Sequence, residues 1–523
     1  MPRSASRREL LPELSAGALA PALTRVPSLG PLRAAPEWSD AMAAASGLRI
    51  EPAAFVTVGG GLASFAVIDA LRIRGLPTAD IRVVSTMSRP YENLRQLIRA
   101  GQIQDDDPLR SDSASRVDNI WGFPGYAVEE AIRRRSLRPL WKVLAEPVAA
   151  EFYNPSPGQV FRGLDREADR IGWDSMRIAG RAELIRRRIE GGYFCLVHPV
   201  DRSSPYLLRS HYVHLATGYP ALGYAPGLTG YRLRYGEFFN VVNAYEQHEH
   251  VYQVLQRQGG TILVRGAGIT ASRVLQRLID DRDRTAADVR ILHLFRDHSG
   301  QPPAVRGPGV AAGPGWRYQA FSFPKSANSG QLREELASLS SEERTARIAA
   351  LSATSTAKRR GWQRQLRRAQ SEGFYRALSG EIKAIEPSRD RRVRLVIAGP
   401  GDDGLVHLNV DFVLDCTGMS LQLRDNPLLA DLVDRGGAEV NALGGLDVSP
   451  HFEVLGAEEK AGRLYASGVI AHGGYLAPAD SFLGVVHAAL LICDDLAAQG
   501  ACARLGPARS VAGWVRWLTG QAP

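Results

Sequence analysis

Cysteine is scarce: Cys195, Cys416, Cys493 and Cys502 are the four in 523 residues, and no two are spaced Cys-x-x-Cys. That scarcity argues against a disulfide framework and a structural zinc site, and for a reducing compartment, the cytoplasm. A thiol-disulfide reductase is disfavoured too, because it needs two closely spaced reactive thiols. Long apolar runs are also missing. No stretch reaches the roughly 18 consecutive apolar residues of a membrane span. The first 54 residues are rich in Ala, Pro, Ser and Arg, but Glu9 and Glu13 interrupt them and no apolar run follows the arginines. They read as a mobile extension, with a transit-like segment as the alternative.

Acid is in modest deficit. Lys and Arg total 64 against 55 Asp and Glu, a net charge of +9. The surplus falls on helix-like segments, 129–142, 181–190 and 357–370, which read as solvated faces and disfavour nucleic acid as a partner. The run from Lys358 to Arg368, with six cations and no acid, is the best place for anion recruitment or a protein partner. Hydrophobic residues make up 45% and charged residues 23%, and this length suits two or three domains.

What is present in duplicate is a strand, a glycine turn and a helix. Val56 to Val58 runs into Gly59-Gly60-Gly61-Leu62-Ala63-Ser64 and then into apolar residues at helical spacing. Gly59, Gly61 and Ser64 occupy the three small positions of G-x-G-x-x-G/A. The first makes the turn, the second admits a pyrophosphate, and the helix start offers free N–H groups to it. The next strand ends at Ser85, where the acid that usually binds a ribose hydroxyl is absent. Gly266, Gly268 and Ala271 repeat the pattern after Thr261 to Val264, with Ile269 and Thr270 opening the helix. Its following strand ends at Arg296, a cation that suits a 2′-phosphate and so favours NADPH over NADH, although Asp297 beside it leaves NADH open. Two such loops in one chain point to FAD in the first and the nicotinamide nucleotide in the second.

Between the loops, Ala216-Thr217-Gly218-Tyr219 ends a strand, and residues 412–420 form a matching return. Near the C-terminus, Gly468, His472-Gly473 and Asp480-Ser481-Phe482-Leu483 open a final helix. Together these segments resemble the class B flavoprotein monooxygenases, most closely the lysine and ornithine N-hydroxylases. The resemblance implies an α/β fold of two Rossmann-like domains, the second inserted in the first. It implies an FAD domain in two parts, 55–235 and 416–505, an NAD(P)H domain over 236–415 with a helical insertion at 316–380, and a tail over 506–523. It places Thr217, Gly218, Gly468 and Asp480 to Leu483 against FAD, with the N–H groups of the last helix facing the flavin. The reaction implied is NADPH reduction of FAD, addition of O₂ to give a peroxyflavin, and oxygenation of an amine nitrogen or a sulfur. No Baeyer–Villiger fingerprint is present.

Two segments are placed to choose a small-molecule substrate. Asn119, Trp121, Phe123 and Tyr126 form an aromatic, turn-rich cluster that either lines the cavity beside the flavin, with Asn119 on substrate and Trp121 on cofactor, or packs as a surface loop. Lys325 and Asn328 either hold a carboxylate or phosphate or belong to an ordinary helix start. No catalytic side chain and no metal ligand stands out. Two other readings stay open: a flavin dehydrogenase or oxidase without oxygen transfer, and a non-catalytic flavin-binding protein with a basic interaction surface. The sequence does not set the oligomeric state, and a homo-oligomer is compatible with it.

Overall fold

The computed structural model describes residues 29–109, 111–145, 153–201, 203–225, 227–295, 311–312, 317–319, 330–351, 356–357, 359–399 and 404–523. The first unit contains β1 (Glu37–Trp38), β2 (Ile50–Val58), α1 (Leu62–Ile73), β3 (Ile81–Ser85), α2 (Glu92–Ala100), β4 (Arg177–Arg188), β5 (Tyr193–Pro199) and β6 (Tyr206–Leu215). The chain then leaves for β7 (Val241–Asn243), β8 (Gly260–Arg265), α3 (Ile269–Thr285), β9 (Val289–Phe295), β10 (Tyr375–Ser379) and β11 (Phe412–Asp415). It returns for β12 (Arg463–Ala466), α4 (Phe482–Ala498) and α5 (Pro507–Leu518).

The first sheet runs β1-β4-β3-β2-β6-β12, with β5 antiparallel to both β4 and β6. Four consecutive buried residues, Phe55 to Val58, end β2. Such a run is what a central parallel strand covered on both faces needs. On one face, α1 lies against α4, and the Cys493 thiol reaches the Val67 carbonyl. The second sheet, β10-β9-β8-β11-β7, is parallel throughout and has its own core. The two chain crossings meet where Ala221–Leu222 pairs with Met419–Ser420. Asn243 fastens them, donating from Nδ2 to the carbonyls of Gly223 at 2.6 Å and Gly418 at 3.2 Å.

Three expectations change. Residues 29–54 are not a mobile extension: Trp38 is fully buried, donates to the Leu32 carbonyl at 2.8 Å, and lies on the strand that extends the sheet beyond β4. The residues before 29 lie outside those described. The 506–523 tail is the helix α5, whose buried Trp517 donates to the Asp118 carbonyl at 3.0 Å. The helical insertion stops before β10, which belongs to the second sheet. Residues 381–410 form a three-stranded antiparallel sheet that no motif announces.

Candidate functional site

Both glycine loops are built on the same scaffold. Gly59 has φ +108°, its N–H donates to Val84 on the neighbouring strand at 3.0 Å, and a Cβ there would lie 2.1 Å from the Ala216 carbonyl oxygen. Gly266 has φ +127°, its N–H donates to Leu294 at 3.2 Å, and a Cβ would lie 2.7 Å from the Cys416 oxygen. Only glycine combines that dihedral with that approach. Gly60 is pressed against Ser85, whose hydroxyl accepts from the Met87 N–H at 3.0 Å. Gly61 is different, because a Cβ there would meet nothing within 4 Å. The backbone of Gly61 borders open space, and neither Gly61 nor Gly268 caps its helix with a side chain. Two helix starts with uncapped N–H groups fit the phosphates of dinucleotides.

The first loop and the start of α3 line one cavity of about 490 Å³. Gly61, Leu62, Ala63, Gly218, Gly468 and Asp480 line it from the first unit, and Ile269 and Thr270 from the second. Helix α2 supplies an apolar wall through Leu94, Leu97 and Ile98. Arg273 and Arg359 bring positive charge. The Arg273 guanidinium pairs with Asp107 at 2.9 Å, while Arg359 donates to Ser272 at 2.8 Å and Gln276 at 2.6 Å on α3. Tyr219 donates to Asp480 at 2.8 Å, and Tyr245 and Thr270 share a 2.7 Å hydrogen bond. Burial and the Asp480 carboxylate push the Tyr219 phenol far up, so it stays a neutral donor.

Beneath the first loop runs a buried polar chain that the motifs do not reveal. The Thr57 hydroxyl donates to Ser64 at 3.0 Å, and the His214 ring bonds Thr57 at 2.9 Å and Ser467 at 2.8 Å. It joins β2, β6, the start of α1 and the residue after β12. Burial lowers His214 to about 3, so the imidazole is neutral at ordinary pH. Sequence reading recognised Ser64 alone. No sequence motif marks the rest; the parallel register of the folded strands sets Thr57 beside His214.

Other expected residues fall as follows. Thr217 holds a buried hydroxyl with no hydrogen-bond partner beside Gly218, an orphan that a bound group would satisfy. Ser481 caps α4, accepting from Gly484 N–H at 3.0 Å, so its hydroxyl occupies part of the helix start reserved for the flavin, with Phe482 and Leu483 in the first turn. Asn119 and Trp121 leave the site. Asn119 donates to the Phe123 carbonyl at 2.9 Å and accepts from Trp121 N–H, and the Trp121 indole donates to Ser510 on α5 at 2.7 Å. Their polar atoms close a loop against α5, which overturns their assignment to substrate and cofactor. Arg296, Lys325 and Asn328 lie outside the described residues.

Among the described residues no cluster suits a metal ion, and no helix is long and apolar enough to cross a membrane. All four cysteines are free; burial raises Cys195 to about 12 and Cys502 to about 11. No protein-family model and no curated protein sequence matches the chain. Solved structures do. The chain is similar to an ornithine N-hydroxylase from Kutzneria sp. 744, solved with reduced FAD, NADP⁺ and L-ornithine, at TM-score 0.64 and 13% identity, covering 86% of this chain and 100% of that one. A cadaverine monooxygenase from Erwinia amylovora, bound to FAD, gives 0.63 and 12% over 87% of this chain and 97% of that one. An ornithine hydroxylase from Pseudomonas aeruginosa gives 0.61 and 14% over 86% and 100%. The fold is therefore that of two-domain flavoproteins, an α/β arrangement with one Rossmann-like unit inserted in another.

Proposed function

We propose that this chain is an FAD- and NADPH-dependent monooxygenase that oxygenates a nitrogen or sulfur of a small molecule, using O₂ as co-substrate. One observation carries the reading: the first glycine loop and the helix start that follows the second, whose first glycines are 207 positions apart in sequence, line one cavity. A hydride donor and its acceptor need such proximity. The loop from Gly59 to Ser64, Thr217, Gly218, Gly468 and the 480–483 segment would hold FAD. Gly266, Gly268, Ile269 and Thr270, with Arg273 and Arg359, would hold NADPH. When bound, FAD supplies the acceptor for the hydride and, once reduced, the reductant of O₂.

The chain's own residues bind, orient and exclude water. Leu94, Leu97, Ile98 and Val485 keep the cavity apolar, which is the environment that suppresses wasteful hydrolysis and proton leakage. The Tyr219–Asp480 pair sets one polar point on that wall, with the phenolic proton held between the two oxygens. Arg273 and Arg359 lend charge to the nucleotide side. A cytoplasmic enzyme fits four free cysteines.

The decisive assay follows NADPH consumption, product and hydrogen peroxide together, with amine and thioether substrates. Consumption matched by oxygenated product supports the reading. Peroxide equal to NADPH consumed with every substrate would move it to an oxidase, and no NADPH consumption at all would leave a flavin-binding protein without turnover.

A further inference from the structure

Outside the nucleotide cavity, residues 132–144 turn an unusual face outward. Ile132, Leu137, Trp141 and Leu144 are 70–78% exposed. Large apolar side chains left in water this fully, and this close together, mark a contact surface. They alternate with five cations, Arg133, Arg134, Arg135, Arg138 and Lys142, and the stretch holds no acid. Two helices carry it, Tyr126–Arg134 and Arg138–Leu144, joined at Arg135 in the left-handed region at φ +50°.

The second helix sorts its residues by direction. Leu137, Trp141 and Leu144 fall on one outward stripe, by the 100° step of a helix. Pro139 is buried and Val143 packs against the main core. Arg138 and Lys142 lie on the flank between. There they join Arg133 and Arg134 in lining a cleft of about 410 Å³, floored by Tyr153 and Gln159. Two acids also face this cleft. Asp106 lines it with no ion pair to these cations among the described residues, and Glu130 is already engaged by Tyr153 at 2.6 Å, Gln159 at 3.0 Å and Arg134 at 3.1 Å. Three of the cleft's cations, Arg133, Arg138 and Lys142, thus remain to face an anion.

We propose that this ridge and cleft form a docking site for an anionic lipid surface, the cations taking phosphate headgroups while Leu137, Trp141 and Leu144 enter the acyl boundary. An apolar stripe flanked by cations, with an interfacial Trp, has the composition that binds such surfaces. A soluble phosphate would use the cleft and leave the ridge in water. A second copy of this chain is the wrong occupant, because a two-fold contact would set two such cation clusters against each other. The site would hold the protein at a membrane surface without any spanning helix.

Flotation of the full-length protein with vesicles tests this. Phosphatidylcholine vesicles are compared with vesicles containing about one-third phosphatidylglycerol, across rising salt. Flotation with the anionic vesicles, weakening as salt rises, is expected. The variant Arg133→Gln/Arg138→Gln/Lys142→Gln should bind about 100-fold more weakly. Leu137→Ser/Trp141→Ser should lose about tenfold or more. All five side chains are exposed, so thermal unfolding of both variants should match the parent. Flotation equal on neutral and anionic vesicles, or absent on both, overturns the proposal. So does binding unaffected by the apolar pair yet fully displaced by inorganic phosphate, which would assign the cleft to a soluble anion. Binding to poly-glutamate without vesicle binding would assign it to an acidic protein, and a dimer dissolved by the apolar pair would assign it to a second copy.

Discussion

The two glycine loops share a backbone and differ in what lies beneath it. Two residues before Gly59 stands Thr57, and two before Gly266 stands Val264; five residues after, Ser64 answers to Ala271. On the crossing strands, His214 and Leu414 each precede by two the residue packed on the glycine. A hydrogen-bonded polar chain in the first unit is therefore apolar in the second, with all six positions fully buried. The second unit places its buried histidine elsewhere: the His293 ring bonds the Gly266 carbonyl at 2.6 Å and Tyr375 at 2.8 Å. The charges are distributed the other way, since the cavity's two arginines come from the second unit. The same turn can thus rest on neutral polar wiring or on apolar packing, and only its surroundings distinguish the two ligands.

The sharpest break removes the shared feature. Gly59→Ala and Gly266→Ala each force a Cβ into a carbonyl at a positive φ, costing about 3 kcal/mol or more. The outcomes should separate: Gly59→Ala loses bound FAD, while Gly266→Ala keeps FAD and loses its reduction by NADPH, as absorption spectra will show.

The next test converts one unit's wiring into the other's. His214→Leu alone strands the Ser467 hydroxyl, leaves Thr57 with Ser64 as its one partner, and should cost about 2–4 kcal/mol in denaturant unfolding. Adding Ser467→Ala removes the stranded hydroxyl, so the double variant should be more stable than the single one. His214 also fixes a pH dependence. Its folded value is about 3 against an ordinary 6.5, so the unfolded chain binds the extra proton. Its contribution is complete above 6.5 and lost as pH falls toward 3, at most about 1.4 kcal/mol per pH unit. His214→Gln should flatten that acid limb.

Much of this was legible in the sequence, and the failures have a physical pattern. Strand, glycine turn and helix are local, so Gly59 to Ser64 and Gly266 to Thr270 stood out, as did the crossing at Thr217 and Gly218. The polar chain joins residues 57, 64, 214 and 467, and only strand register brings them together. Asn119 and Trp121 stay ambiguous in the sequence because an aromatic, glycine-rich loop has one composition whether it lines a cavity or closes on a helix. Ser510 and Trp517, nearly four hundred residues later, decide which. Residues 29–54 look like a linker by composition, yet Trp38 finds an open sheet edge.

Smaller effects sharpen the charge difference. Arg359→Ala should raise KM for NADPH about tenfold with FAD content unchanged, because Arg359 lines the cavity from the second unit's side. Smallest of all, Asp69→Asn on α1 should stabilise the protein by about 1 kcal/mol at neutral pH. Burial, with Glu167 beside it, raises the Asp69 carboxyl well above its ordinary 3.8, so stability is full below that value and lost as pH rises. Where Asp69 stands ten residues after Gly59, Gln276 stands ten after Gly266, already neutral and bonded to Arg359. Thermal unfolding across pH will show whether the Asn variant loses that alkaline decline.

One measurement bears most directly on two loops serving two nucleotides: the absorption spectrum of the protein reconstituted with FAD, before and after NADPH is added without oxygen. A flavin band near ~450 nm that bleaches on NADPH addition is the expected result. Flavin that binds and stays oxidised, or no flavin retained at all, would contradict it.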